Sequence, residues 1–121
     1  MNIYQIIKFQ VLVNVLVVGS GGREHSIGWK LGQSNNVNTV FYAPGNGGTL
    51  NNVQISVDDL DGLANFASEN NCFTVVGPEA PLAMGIVDMF NEMGLKIFGP
   101  TKEAAQLESS KIWAKQFLKR N

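Results

Sequence analysis

Short apolar runs that stop at glycine or proline recur along the chain, and most are followed by apolar residues spaced three and four apart. The clearest run is Val15-Leu-Val-Val18, which breaks at Gly19-Ser20-Gly21-Gly22; Arg23 and Glu24 then open a helix with Ile27 and Leu31 one turn apart. Thr39 to Ala43 has the β-branched and aromatic content of a second strand and ends at Pro44-Gly45-Asn46-Gly47-Gly48-Thr49. Val53, Ile55 and Val57 alternate with polar residues and predict a short strand. Asp58 or Asp59 then caps a helix bearing Leu60, Leu63, Ala64, Phe66 and Ala67, which fades at Glu69-Asn70-Asn71. Phe73 to Val76 is a further strand, stopped by the loop Gly77-Pro78-Glu79-Ala80-Pro81. Ile86, Val87, Met89, Phe90 and Met93 form a helical stripe ending at Gly94, and Lys96 to Phe98 is a strand closed by Gly99-Pro100. From Thr101 the pattern is helical again, with Thr101 or Ser109 as N-cap, Trp113 and Phe117 on one side, and Lys111, Lys115 and Lys119 at i, i+4 spacing.

Strands alternating with helices imply right-handed crossovers, hence an α/β fold of three layers with a mostly parallel sheet and helices on both faces. In such a sheet the loops Gly19 to Gly22, Pro44 to Thr49, Gly77 to Pro81 and Gly99 to Lys102 all leave the carboxyl ends of strands. They share one edge, the edge at which open α/β sheets bind ligands.

The 121 residues, 45% of them hydrophobic, suffice for one core. Nine Lys and Arg against ten Asp and Glu leave a net charge of -1, so no basic field favours nucleic acid or an anionic membrane, and any anion must be bound locally. The one cysteine, Cys72, allows neither an internal disulfide nor a zinc constellation, which fits a reducing, cytoplasmic setting and a small buried thiol. Ahead of the first strand, Ile3, Ile6, Ile7, Phe9 and Val11 to Val13 are interrupted by Gln5, Lys8 and Gln10 well short of a membrane span, with no leader pattern. This segment is expected to be an added edge strand or a partly ordered tail.

Glycines at a strand-to-helix junction let the backbone approach a ligand, and the first helical turn offers unpaired N–H groups and partial positive charge, so the first loop is a natural phosphate seat. A dinucleotide fingerprint fits poorly. Glu24 occupies the position of its third glycine, and no Asp or Glu lies between His25 and Val57 to hold a ribose. The absence of a Gly-Lys-Ser/Thr triplet excludes a P-loop nucleotide hydrolase. Arg23 is either a phosphate clamp or a solvated helix-start arginine, and His25, the lone histidine, is read as a packing or hydrogen-bonding residue. Glu79, between Pro78 and Pro81, either accepts hydrogen bonds from ligand hydroxyls or caps the next helix. Gly45 to Gly48, with Asn46 and Thr49, form either a plain turn or a ligand wall. Lys111 belongs to a wet helix face or reaches a phosphate.

Together these blocks resemble the N-terminal domain of the phosphoribosylamine-glycine ligases, members of the ATP-grasp superfamily. The matching stretches are Asn14-Val-Leu-Val-Val-Gly-Ser-Gly-Gly-Arg-Glu-His25, Ala43-Pro-Gly-Asn-Gly-Gly-Thr49, Val75-Val-Gly-Pro-Glu-Ala-Pro-Leu82, Gly94-Leu-Lys-Ile-Phe-Gly-Pro-Thr101, and Ala105-Gln-Leu-Glu-Ser-Ser-Lys111. The resemblance implies a Rossmann-like, pre-ATP-grasp domain of an enzyme of purine biosynthesis. That enzyme joins glycine to 5-phosphoribosylamine through an acyl phosphate, with ATP and Mg or Mn held mainly by later domains and none bound by this chain alone. By the resemblance, Gly19, Ser20, Gly21, Gly22, Arg23, Glu24, Gly45, Asn46, Gly48, Thr49, Pro78 and Glu79 would hold the substrate and Lys111 would reach the ATP phosphates. No catalytic residue and no metal ligand is assigned.

The expected organisation is an extension over residues 1–13, the Rossmann-like domain over 14–108, and a helix over 109–121 leading toward an ATP-grasp domain that the chain lacks. Relatives start one residue before Asn14, so residues 1–12 are expected to come from an upstream start or an added segment. The stretch after Thr49 is also shorter than the family pattern. Catalysis by this chain alone is not expected. Two alternatives stand beside the ligase reading. One is a non-catalytic module or homodimer that self-associates through an exposed domain interface around Trp113 and Phe117; the other is a fragment of a dinucleotide-binding oxidoreductase.

Overall fold

The computed structural model describes residues 13–99. The amino-terminal segment, Pro100, and the helix foreseen from Thr101 with Lys111, Trp113 and Phe117 lie outside the described residues. Strands β1 (Val13–Gly19), β2 (Val37–Pro44), β3 (Cys72–Val76) and β4 (Ile97–Phe98) form a four-stranded parallel sheet in the order β2-β1-β3-β4. Helix α1 (Gly22–Gly32) connects β1 to β2, and α2 (Leu60–Glu69) precedes β3. Two short helices, α3 (Glu79–Ala83) and α4 (Ile86–Glu92), lie between β3 and β4. The chain runs outward from β1 to β2 and then returns to the other side of β1, so the strand order reverses at β1, where such sheets open a crevice at their carboxyl ends.

The run Val15 to Val18 does not alternate because β1 is covered on both faces, each of its four residues being at most 2% exposed. Leu16 and Val18 join Ala43, Cys72 and Val76 under α2 and α4, through Leu63, Ala67, Ile86 and Phe90. Val15 and Val17 join Tyr42 and Val75 on the opposite face, against Ile27 and Leu31 of α1. The two layers of side chains hold the sheet as a rigid base from which the loops project.

Helix ends follow the chemistry of their residues. Asp59 caps α2 by accepting from the Gly62 N–H at 3.0 Å. Helix α4 ends in a Schellman arrangement: Leu95 N–H donates to the Phe90 carbonyl at 2.8 Å and Gly94 N–H to that of Asn91 at 3.1 Å. Gly94, at φ +72°, takes the left-handed position this requires.

Two elements differ from the sequence pattern. Val53, Ile55 and Val57 do not form a strand. A single bridge joins Asn52 to Tyr42, the Val53 N–H donates to the Tyr42 carbonyl at 2.7 Å, and the chain then curls so that the Ile55 N–H is spent on Val53's own carbonyl at 2.8 Å. The alternating side chains still pack on the core. The second difference is α3, which forms where a loop is expected. Pro78 precedes its first residue and Pro81 falls within its first turn, where a helix has no use for the missing N–H. Gly85, at φ +93°, then separates α3 from α4.

Candidate functional site

The loops that leave β1, β2 and β3 are joined to one another at the carboxyl edge of the sheet. Gly45 N–H donates to the Gly19 carbonyl at 3.1 Å, and Gly77 N–H donates to the Val18 carbonyl at 3.1 Å, which carries the strand pairing one step past the strand ends. Side chains add two further ties. Asn46 Nδ2 donates to the Ser20 carbonyl at 2.8 Å. Arg23 Nη2 donates to the Gly77 carbonyl. The loops after β1, β2 and β3 therefore form one continuous rim.

Its second loop is ordered by its own polar side chains. Asn46 N–H donates to Thr49 Oγ1 at 2.8 Å, Gly48 N–H donates to Asn46 Oδ1 at 2.7 Å, and Asn52 Nδ2 donates to the Asn46 carbonyl at 2.9 Å. Thr49 Oγ1 in turn lies 2.6 Å from Asn52 Oδ1. Gly45, at φ +74°, sits against Asn52, where a Cβ would overlap the amide. An Asx-type loop of this kind presents a fixed wall instead of a loose turn.

The candidate residues named above fall into two groups by exposure. Ser20, Gly21, Gly22, Arg23, Gly48 and Glu79 are exposed on the rim, and Gly45, Asn46 and Pro78 are partly so. Gly19, Glu24 and Thr49 are buried beneath it. Glu79 stands in the first turn of α3, with Pro78 as its N-cap residue, so it does not cap the helix by its side chain. Arg23 is 68% exposed along its side chain and lies 3.6 Å from Glu24 Oε1, so one guanidinium serves both the Gly77 carbonyl and the carboxylate. Lys111 lies outside the described residues. Among the described residues no group of His, Cys, Asp and Glu is placed to hold a metal ion, and no helix is long and apolar enough to cross a membrane.

Sequence reasoning missed two contributors, Asn52 and Tyr42, while His25 takes the packing role read for it. Asn52 completes the second loop, and the pair Asn51-Asn52 just after a glycine-rich turn was the available signal. His25 sets its ring beside Gly48 and edge-on to Tyr42 at 6.3 Å between centroids. Tyr42 lies over Gly28 with its hydroxyl 3.4 Å from the His25 carbonyl, and burial raises its pKa above the usual 10.0. Behind the second loop, between α1 and the β2 edge, an open groove of about 500 Å³ is lined by His25, Trp29, Val40, Tyr42, Leu50 and Asn51. No motif signals this groove, because its wall is assembled from the side of a helix and the edge of a strand.

Comparison with known proteins agrees with this architecture. The family described as "Phosphoribosylglycinamide synthetase, N domain" matches residues 13–108. A phosphoribosylamine-glycine ligase of Vibrio vulnificus (strain YJ016) is 56% identical over 115 residues, covering 90% of this chain and 27% of the relative. The enzyme of the same name from Pseudomonas aeruginosa is 55% identical over 114 residues, and that from Haemophilus influenzae 52% over 115, with the same shares covered. The chain thus spans about a quarter of the length of these relatives, 27%.

Proposed function

Since the chain belongs to the phosphoribosylglycinamide synthetase N-domain family, we propose that it is the amino-terminal part of an ATP-dependent ligase that joins glycine to 5-phosphoribosylamine, and that its rim holds the phosphoribosyl group. The single observation that carries the second half of this reading is the tying of Ser20, Asn46, Arg23 and Gly77 into one rim. A phosphate dianion needs several donors in fixed positions. The exposed backbone of Ser20 to Gly22 at the start of α1, with Arg23 beside it, supplies donors and positive charge together. Glu79, exposed on the neighbouring turn, offers a carboxylate to the ribose hydroxyls. Thr49 and Asn46 act by holding the wall that Gly45 and Gly48 present.

ATP and its Mg or Mn belong, on this reading, to other parts of the complete ligase. The role of this chain is to seat and orient the sugar phosphate, with acyl-phosphate chemistry carried out elsewhere. The dinucleotide alternative is disfavoured by Glu24. Where the fingerprint's third glycine would allow close packing, a buried carboxylate side chain fills the space under the loop. The self-association alternative rests on Trp113 and Phe117, outside the described residues.

Titration of the chain with ribose 5-phosphate, followed by calorimetry and amide chemical shifts, tests the proposal. Shifts centred on Ser20 to Arg23 and on Glu79 are expected. Absence of both heat and shifts at millimolar ligand would overturn the assignment of the rim.

A further inference from the structure

We infer that Glu24 is a positioning residue: its side chain is a wedge that sets the separation of the loop after β1 from the turn after β3, without contacting the ligand. The inference rests on the reading of the rim as a phosphoribosyl seat for its functional meaning, and on packing alone for its structural meaning. Glu24 is 6% exposed although its neighbours Arg23 and Gly22 are open to solvent. Its methylene and carboxylate occupy the space that a Cβ would need at Gly19, at Gly21 and at Gly77. Gly19 and Gly77 end or follow adjacent strands, so one side chain fills the seam between β1 and β3 where the rim begins.

Charge supports the same role. A carboxylate buried without a partner is costly, and Glu24 is served by Arg23 at 3.6 Å and by its place in the first turn of α1. Arg23 continues across the seam to the Gly77 carbonyl, so wedge and strap act on the same gap, one from beneath and one from above. A negative charge under an anion seat opposes the anion, so what Glu24 contributes to binding is shape. A side chain of the same shape without the charge should serve as well.

The test combines ligand affinity with a thermal double-mutant cycle on the 121-residue chain. Glu24→Ala is expected to weaken ribose 5-phosphate binding by at least about tenfold and to move the ligand-free amide resonances of Gly19, Gly21 and Gly77, while Glu24→Gln stays within about threefold of wild type. Gly77→Ala is expected to lower the melting temperature, and Glu24→Ala in that background to add less than it costs alone, because removing the wedge makes room for the new methyl. Equal loss of affinity in Glu24→Gln and Glu24→Ala would show a direct, charge-dependent contact and overturn the inference. Strictly additive melting shifts would overturn it as well. If wild type fails to bind ribose 5-phosphate, the phosphoribosyl reading falls, and the melting cycle with the loop resonances still decides whether Glu24 is the wedge.

Discussion

Asn46 Nδ2 donates to the carbonyl of Ser20 at 2.8 Å across 26 positions of sequence, and by that bond the loop after β2 is fastened to the loop after β1. Asn46 also receives the Gly48 N–H on its Oδ1 at 2.7 Å, so one amide uses both ends. An asparagine suits this position because its amide donates from one end to the Ser20 carbonyl and accepts at the other from Gly48. Asn46→Asp keeps the acceptor and replaces the donor with a second acceptor facing the Ser20 carbonyl.

Both Asn46→Ala and Asn46→Asp are expected to lower stability by about 1 kcal/mol, the worth of one or two exposed hydrogen bonds. Asp should also weaken ribose 5-phosphate binding more than Ala does, since it adds negative charge next to the anion seat. Chemical denaturation and calorimetric titration of the two variants check the order. Equal affinities would mean that Asn46 acts on the loop without sensing the ligand.

Two glycines of α1 should respond to alanine with opposite sign. Gly28 is buried beneath the Tyr42 ring, and a methyl there would overlap the phenol carbons and oxygen. The overpacking costs about 1–3 kcal/mol, more than the roughly 1 kcal/mol that Ala gains over Gly in a helix, so Gly28→Ala should be destabilised. Gly32 is exposed at the helix end, and its Cβ would lie at an ordinary 3.5 Å from Val40 Cγ2. There the propensity gain stands alone, and Gly32→Ala should be more stable by about 0.5–1 kcal/mol. Thermal melts of the two single variants measure this.

Cys72 is buried in the core face of β3, and desolvation pushes its thiol from the usual 9.0 up to about 11. The folded chain thus holds the thiol proton more tightly than the unfolded chain does. Stability attributable to this group is complete below pH 9 and is lost as pH rises through about 11. Denaturation midpoints should therefore fall between these values more steeply in wild type than in Cys72→Ala. Alkylation at pH 8 should be slow in the native state and fast in urea.

Much of this was legible in the residues themselves, and the reasons are local. The apolar run before Gly19, the Asp59 cap and the Gly94 terminus depend on chemistry within one or two turns of chain, so strand β1, helix α2 and the end of α4 are written where they occur. The parallel order of strands places glycine loops on one edge by topology, and the family likeness of the blocks follows from the letters alone. Where a pattern of side chains had to be matched by backbone partners elsewhere, the sequence was silent. Val53 to Val57 alternates like a strand, but the bonds a strand would need go to Tyr42 only once and then inward to Val53.

What only the tertiary structure decided is which of the rim residues face outward. Arg23 and Glu24 are adjacent letters of similar polarity, yet one is open to solvent and the other fills the gap left by three glycines drawn from two strand ends. That division depends on the spacing of β1 and β3 and on the missing Cβ of a glycine as remote as Gly77, 53 positions from Glu24. Sequence determines that a carboxylate, a guanidinium and glycines will meet at the edge of the sheet. Close packing decides which of them becomes the support and which is left to meet a ligand.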